Sequence, residues 1–229
     1  MLDLDSLSSG YQDTRIVNDL DLRVEPGEII GLLGRNGVGK TTLLNSVFGL
    51  CPRFGGEIRI DGVAVPPGRP ELLARAGFTF LPDDRGVFGR LTVAENLRLA
   101  RRAGYAPPVD VHELYPMLAQ RAGQPAGTLS GGQKQQVGLA RAILAGSRLI
   151  AIDEFSQGLQ PSVVEDSTAA LRTLARSGVA VIVVEQGPDL ALRFCDRIVV
   201  LVRGRIALDA PAARLRAEPG RLTDLLLVG

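Results

Sequence analysis

The stretch Gly34-Arg35-Asn36-Gly37-Val38-Gly39-Lys40-Thr41-Thr42 matches G-x-x-x-x-G-K-[ST], with an apolar run at 28–33 before it and a helix-like run at 41–48 after it. That setting restricts the chain to α/β architectures in which a short, buried strand of the parallel kind delivers the backbone into a phosphate-binding turn. Glycines at 34, 37 and 39 allow backbone conformations closed to residues with a Cβ, so successive N–H groups can turn inward around a polyphosphate. Lys40 is placed to reach the β- and γ-phosphates and the Thr41 hydroxyl to sit on Mg²⁺. The helix that follows aims the positive end of its dipole at the same anion. The nucleotide-binding residues expected from this loop are Gly34, Asn36, Gly37, Val38, Gly39, Lys40, Thr41 and Thr42.

At 229 residues the chain can bury one substantial core, so a single domain over 1–229 is expected. The formal net charge is +1, with Lys and Arg spread along the sequence. This excludes a basic nucleic-acid footprint and leaves anion recognition to local geometry. Cys51 and Cys195 are far apart and suit small buried apolar positions in a reducing compartment better than a disulfide. No apolar stretch reaches the roughly 18 residues that cross a bilayer, and the N-terminus lacks a basic-then-apolar leader. Membrane association is therefore expected to come through a partner protein.

Residues 2–24 alternate loosely between apolar and polar and predict an antiparallel hairpin broken at Ser8-Ser9-Gly10. Tyr11 stands beside that break, and spacing alone leaves open whether its ring packs or stacks on adenine. Residues 57–62 read as a half-exposed strand ending in a turn, 71–76 as a short helix and 77–81 as another apolar strand. Pro82-Asp83-Asp84-Arg85-Gly86 then forms a polar loop at a strand's end, where α/β sheets place ligand contacts. Asp83 or Asp84 there suits either Mg²⁺ and its water or plain solvation. Thr92-Val93-Ala94-Glu95 is a capping box that predicts a helix to about residue 103, stopped by Gly104. A second helix is predicted over 111–120, and the two read as a helical insertion. His112, the only histidine, falls on this second helix as an exposed residue.

Leu129-Ser130-Gly131-Gly132-Gln133, ahead of a helical run at 134–145, is a second anion-binding helix start. Helices separate it from the first, so both need not reach one nucleotide within one molecule. Apolar residues 149–152 end in Asp153-Glu154. Adjacent carboxylates at the end of a buried strand point in different directions and can do different work. Asp153 suits Mg²⁺ through its water shell, and Glu154 suits orienting and deprotonating an attacking water. Pro161 and Gly178 bracket a helix, 179–184 is a β-branched strand with Glu185-Gln186 at its end in the ligand-facing position, 197–202 and 205–208 form a hairpin around Gly204, and the tail from 211 is mostly helical.

The phosphate loop, Leu129-Ser130-Gly131-Gly132-Gln133 and Asp153-Glu154, in this order, resemble the ATP-binding-cassette (ABC) ATPases across essentially the whole chain. The resemblance implies a P-loop NTPase fold of that α/β type: a mixed, largely parallel sheet core (1–84 and 147–229), an N-terminal antiparallel piece, and an α-helical subdomain over about 85–146. It implies Mg²⁺-dependent ATP hydrolysis in a head-to-tail dimer, homo- or heteromeric, with each ATP held between one subunit's phosphate loop and the other's Ser130, Gly131, Gly132 and Gln133. It also implies Asp153 and Thr41 at the metal, Lys40 on the phosphates as a catalytic residue, Glu154 as general base, Tyr11 on adenine, and Ser156-Gln157-Gly158-Leu159 at the dimer seam. Asp83 falls where most members carry a glutamine, and Gln186 where most carry a histidine. Those replacements, with Leu81 to Phe88, Leu91 to Leu97 and Val184-Glu185-Gln186, resemble the ATPases of branched-chain amino acid and urea importers. Transmembrane permease subunits, a periplasmic solute-binding protein and a place on the cytoplasmic face of a bacterial inner membrane follow as expectations. Phe155 and Gln160 depart from the family pattern, which usually has proline and aspartate there.

Overall fold

The computed structural model describes residues 1–218 together with 220, 222, 225 and 226. The chain opens with β1 (Leu2–Tyr11) and β2 (Thr14–Val24), an antiparallel hairpin whose buried Leu2, Leu4, Leu7, Val17, Leu20 and Leu22 form its inner face. No break occurs at Ser8-Ser9-Gly10; β1 continues to Tyr11 and absorbs the irregularity as register shifts between Leu4 and Gly10. β3 (Ile29–Leu33) leads through the phosphate loop into α1 (Lys40–Val47). β4 (Arg53–Ile60) and β5 (Val63–Ala64) then complete a four-stranded sheet of order β2-β1-β4-β5. β4 begins earlier than its alternating pattern suggests because β1 pairs with it as far as Arg53.

After α2 (Pro70–Arg75), β6 (Phe78–Leu81) enters the second sheet. Four helices follow: α3 (Val93–Ala100), α4 (Val111–Leu114), α5 (Met117–Gln120) and α6 (Gly131–Leu144). The capping box at Thr92 and Glu95 forms as expected, each residue bonding the other's backbone N–H. α3 stops short of residue 103, because Arg101 turns extended and the Arg102 N–H donates to the Leu144 carbonyl at the end of α6. The single helix expected over 111–120 is two, since Pro116 lacks an N–H and drives Tyr115 out of helical geometry.

β7 (Leu149–Ile152), α7 (Pro161–Arg176), β8 (Ala180–Glu185), α8 (Pro188–Phe194), β9 (Arg197–Val202), β10 (Arg205–Pro211) and α9 (Ala212–Ala217) complete the order. The short α8 has no counterpart in the sequence reading. α9 realises the start of the helical tail; positions 219, 221, 223, 224 and 227–229 lie outside the described residues. The second sheet runs β10-β9-β3-β8-β7-β6, parallel except for the edge strand β10.

Because β3 is buried on both faces, its residues divide by parity. Ile30 and Leu32 pack with Leu43, Leu44 and Val47 of α1 and with the antiparallel sheet. Ile29 and Leu33 pack with Leu171 and Leu174 of α7 and Ala191 and Phe194 of α8. Each such side chain contributes about 1.5–3 kcal/mol of burial, which holds both ends of the phosphate loop to fixed elements. Both cysteines are free and buried. Among the described residues no helix is long and apolar enough to cross a membrane.

Candidate active site

The C-terminal ends of β3, β7 and β8 open on a cleft of about 550 Å³. Asn36, Gly37, Gly39, Lys40, Thr41 and Thr42 line one wall, Asp153, Glu154, Ser156 and Gln157 another, and Val184 to Gly187 the third; Ile16 of β2 closes the side. Gly39 caps α1 in a left-handed conformation with no side-chain bond to the helix start. The first amides of α1 are thus left for a ligand rather than consumed by a cap.

Lys40 is only 8% exposed, and its ammonium donates to the carbonyls of Gly34 at 2.6 Å and Arg35 at 2.9 Å. Burial lowers its pKa, and the nearby charges of Asp153 and Glu154 oppose that shift. Asp153 is buried at the end of β7, where its N–H donates to the Leu81 carbonyl and its Oδ1 accepts the Glu154 N–H at 3.1 Å. Glu154 takes φ +47°, a left-handed conformation that side chains other than glycine rarely adopt. With its side-chain amide nitrogen turned toward Glu154, Gln157 can donate to that carboxylate.

Glu185 is buried, and its carboxylate accepts the Ser156 N–H at 2.8 Å and the Ser156 hydroxyl at 2.9 Å. Burial raises its pKa, with the Glu154 charge adding to the rise and the Ser156 hydrogen bonds opposing it. Gln186, the next residue, is exposed and lines the cleft.

Several predicted positions stand outside the lining. Gly34 and Val38 turn their carbonyls away, to Lys40 and to the Gly204 N–H respectively. Tyr11, 41% exposed, accepts a hydrogen bond from Asn45 at 2.7 Å, on the hairpin that also supplies Ile16. Asp83 is exposed, and its carboxylate accepts the Asp84 N–H. Ser130 and Gln133 cap α6 reciprocally, with Gly131 and Gly132 between them, and none of the four lines the cleft. Sequence reasoning passed over Ile16, and it gave Glu185, at the end of its strand, and Arg85, in the polar loop, no role of their own. Arg85 donates to the carbonyls of Glu154 at 3.2 Å and Gln157 at 2.8 Å. Carbonyl acceptors on a distant loop leave no trace in a sequence pattern.

The family model described as ABC transporter matches residues 17–157, more than half of the chain. The chain belongs to the ABC transporter family. BraG, the high-affinity branched-chain amino acid transport ATP-binding protein of Pseudomonas aeruginosa, is 36% identical to this ABC chain over 234 residues, the full length of both. LptB, the lipopolysaccharide export system ATP-binding protein of Escherichia coli K12, is 33% identical over 93% of this chain and 92% of its own. The solved ATP-binding subunit of an ABC transporter superposes with a TM-score of 0.83 at 27% identity, covering 96% of this chain and 93% of that one. This ABC chain is an ATP-binding, ATP-hydrolysing subunit of a transport system, and its cleft unites the phosphate loop with the acidic pair.

Proposed function

We propose that the chain is the ATPase subunit of a bacterial importer for branched-chain amino acids, urea or related small amides. The full-length identity to BraG carries that reading. Two copies, or this chain and a similar ATPase, pair head to tail, so that Ser130 to Gln133 of one face the phosphate loop of the other. The separation of the capped α6 start from the cleft supports this arrangement. Residues 85–146 serve as the helical subdomain on a core of 1–84 and 147–229. Transmembrane permease subunits receive the movement on the cytoplasmic face of the inner membrane, and a periplasmic solute-binding protein delivers the solute.

Within the site, Lys40 and the amides of 36–42 hold the phosphates, with Tyr11 on adenine. Glu154 accepts a proton from the attacking water, and Gln186 donates a neutral hydrogen bond near the γ-phosphate. The Thr41 hydroxyl and the Asp153 carboxylate share the cleft and are hard oxygen donors. Two such ligands would hold Mg²⁺, which when bound would supply positive charge to offset that of the phosphates. Among the described residues no trio of His, Cys, Asp or Glu is grouped to hold a metal, so an all-protein cage plays no part in this assignment. Asp83, which does not line the cleft, is kept as a further candidate for the metal.

Glu154→Gln is expected to lower hydrolysis by about two to four orders of magnitude with ATP binding retained; parental turnover in that variant removes Glu154 from the base role. The identity to LptB favours a second reading, an exporter of lipid or lipopolysaccharide. Deleting the gene separates the two. Loss of labelled leucine or urea uptake supports import, whereas normal uptake with lipopolysaccharide missing from the cell surface supports export.

A further inference from the structure

Glu154 and Arg85 are both non-glycine residues held in left-handed backbone geometry, at φ +47° and +69°. Such residues persist only where their surroundings over-determine them. Here they are joined to each other: the Arg85 guanidinium, 9% exposed, donates Nη1–H to the Glu154 carbonyl at 3.2 Å and Nη2–H to the Gln157 carbonyl at 2.8 Å. The Gln157 N–H donates to the same Glu154 carbonyl at 3.2 Å, closing a turn over 154–157. The fork therefore grips both ends of the turn that presents the carboxylate.

Arg85 is itself anchored from behind. Its N–H donates to the Pro82 carbonyl, and its own carbonyl lies 2.8 Å from the point where a Cβ at Gly138 of α6 would stand, so backbone meets backbone there. One helical turn further on, Arg141 donates to the Gly86 carbonyl and lies over the Phe88 ring at 4.6 Å. The segment 85–88 is thus fixed to α6 before it reaches across to the catalytic turn.

We propose that Arg85 is the positioning residue for Glu154: it holds the base-bearing turn in its left-handed conformation and ties that turn to α6. The proposal rests on Glu154 being the general base. A purely structural role, neutralising loop carbonyls, would lower stability and nucleotide affinity together. A positioning role lowers the chemical step alone, and only when the Glu154 carboxylate is there to be positioned.

The experiment is a double-mutant cycle on the full chain, read by single-turnover hydrolysis of radiolabelled ATP, with ATP affinity and melting temperature measured in parallel. Arg85→Met keeps the volume and removes the donors; Arg85→Lys keeps the charge with shorter reach. R85M is expected to slow hydrolysis by roughly 30- to 100-fold, the scale of a small misplacement of a catalytic group, with ATP affinity within about twofold. R85K falls between R85M and the parent. In the E154Q background, R85M and R85K cost no more than about twofold further. An equal loss in both backgrounds, a parental rate in R85M, or a fall in ATP affinity matching the fall in rate would each overturn the proposal. If R85M does not fold, the same criteria apply to R85K in both backgrounds. Parental turnover in E154Q alone would instead strike down the base assignment, a failure visible before Arg85 is touched.

Discussion

Two hairpin turns in this chain have nearly the same backbone and very different surroundings, which makes them a matched pair. Arg203-Gly204 joins β9 to β10 with φ +48° and +75°, and Asp61-Gly62 joins β4 to β5 with φ +52° and +80°. Both are two-residue turns with positive φ at each position, the twist that suits antiparallel strands. A Cβ at Gly62 would meet nothing within 4 Å, whereas one at Gly204 would fall 1.8 Å from the Ile16 carbonyl oxygen and 2.9 Å from the Asn18 amide. Gly204 also accepts from the Asn18 N–H at 2.9 Å and donates to the Val38 carbonyl at 3.0 Å, so the turn is wedged between β2 and the phosphate loop.

Alanine at either glycine carries the left-handed penalty of about 1–2 kcal/mol. Only Gly204→Ala adds the overpacking term of about 1–3 kcal/mol, and backbone rather than a pliable side chain must yield. The difference of about 1–3 kcal/mol corresponds to about 2–12 °C in melting temperature for a domain of this size. Urea unfolding of the two variants beside the parent measures it. ATP affinity should fall in G204A, through Val38, and remain parental in G62A. If G204A is within about 0.5 kcal/mol of G62A, the wedge at Ile16 is not rigid and the reasoning fails.

Turnover per molecule should rise with protein concentration, because the α6 start does not line the cleft of its own chain; a rate that stays constant down to concentrations where sedimentation finds only monomer counts against the paired site. Gln186→His should hydrolyse ATP roughly tenfold faster, the gain from a charged donor over a neutral one, and equal turnover in variant and parent would reject Gln186 as the γ-phosphate contact. The raised pKa of Glu185 means that the folded chain keeps a proton over a window in which the unfolded chain has lost it. Its share of stability is therefore present below the ordinary carboxylate value and lost as pH rises through the raised one. Urea unfolding between about pH 4 and 8 should show this downward increment in the parent and not in Glu185→Gln; parallel curves would refute it.

The phosphate loop and the acidic pair were legible because their signals are local: glycine spacing, a lysine at a helix start, and carboxylates after an apolar strand. The hairpin of β1 and β2 was legible for the same reason. What escaped depends on partners far along the chain. α3 ends early to reach Leu144, and β4 starts early because β1 is beside it at Arg53. Arg85 reads as one more charge in a polar loop, since its acceptors are carbonyls of Glu154 and Gln157. Glu185 reads as a ligand-facing acid until Ser156, 29 residues away, is seen to occupy it. Pro116 is the exception, a local signal whose effect on a short helix was outweighed by the surrounding periodicity.

The strand order has a consequence for how the molecule comes into being. β3, which carries the phosphate loop, pairs with β8 on one side and β9 on the other, so both neighbours come from the last quarter of the chain. At about 5–20 residues per second of synthesis, β3 waits roughly seven to thirty seconds after leaving the ribosome before either partner emerges. During that interval its isoleucines and leucines have no sheet to join, while the four strands of the antiparallel sheet, all encoded before residue 65, can already close. A chain interrupted midway through synthesis therefore carries the strands of the antiparallel sheet without either neighbour of β3, leaving an unfinished nucleotide site with an unpaired apolar edge.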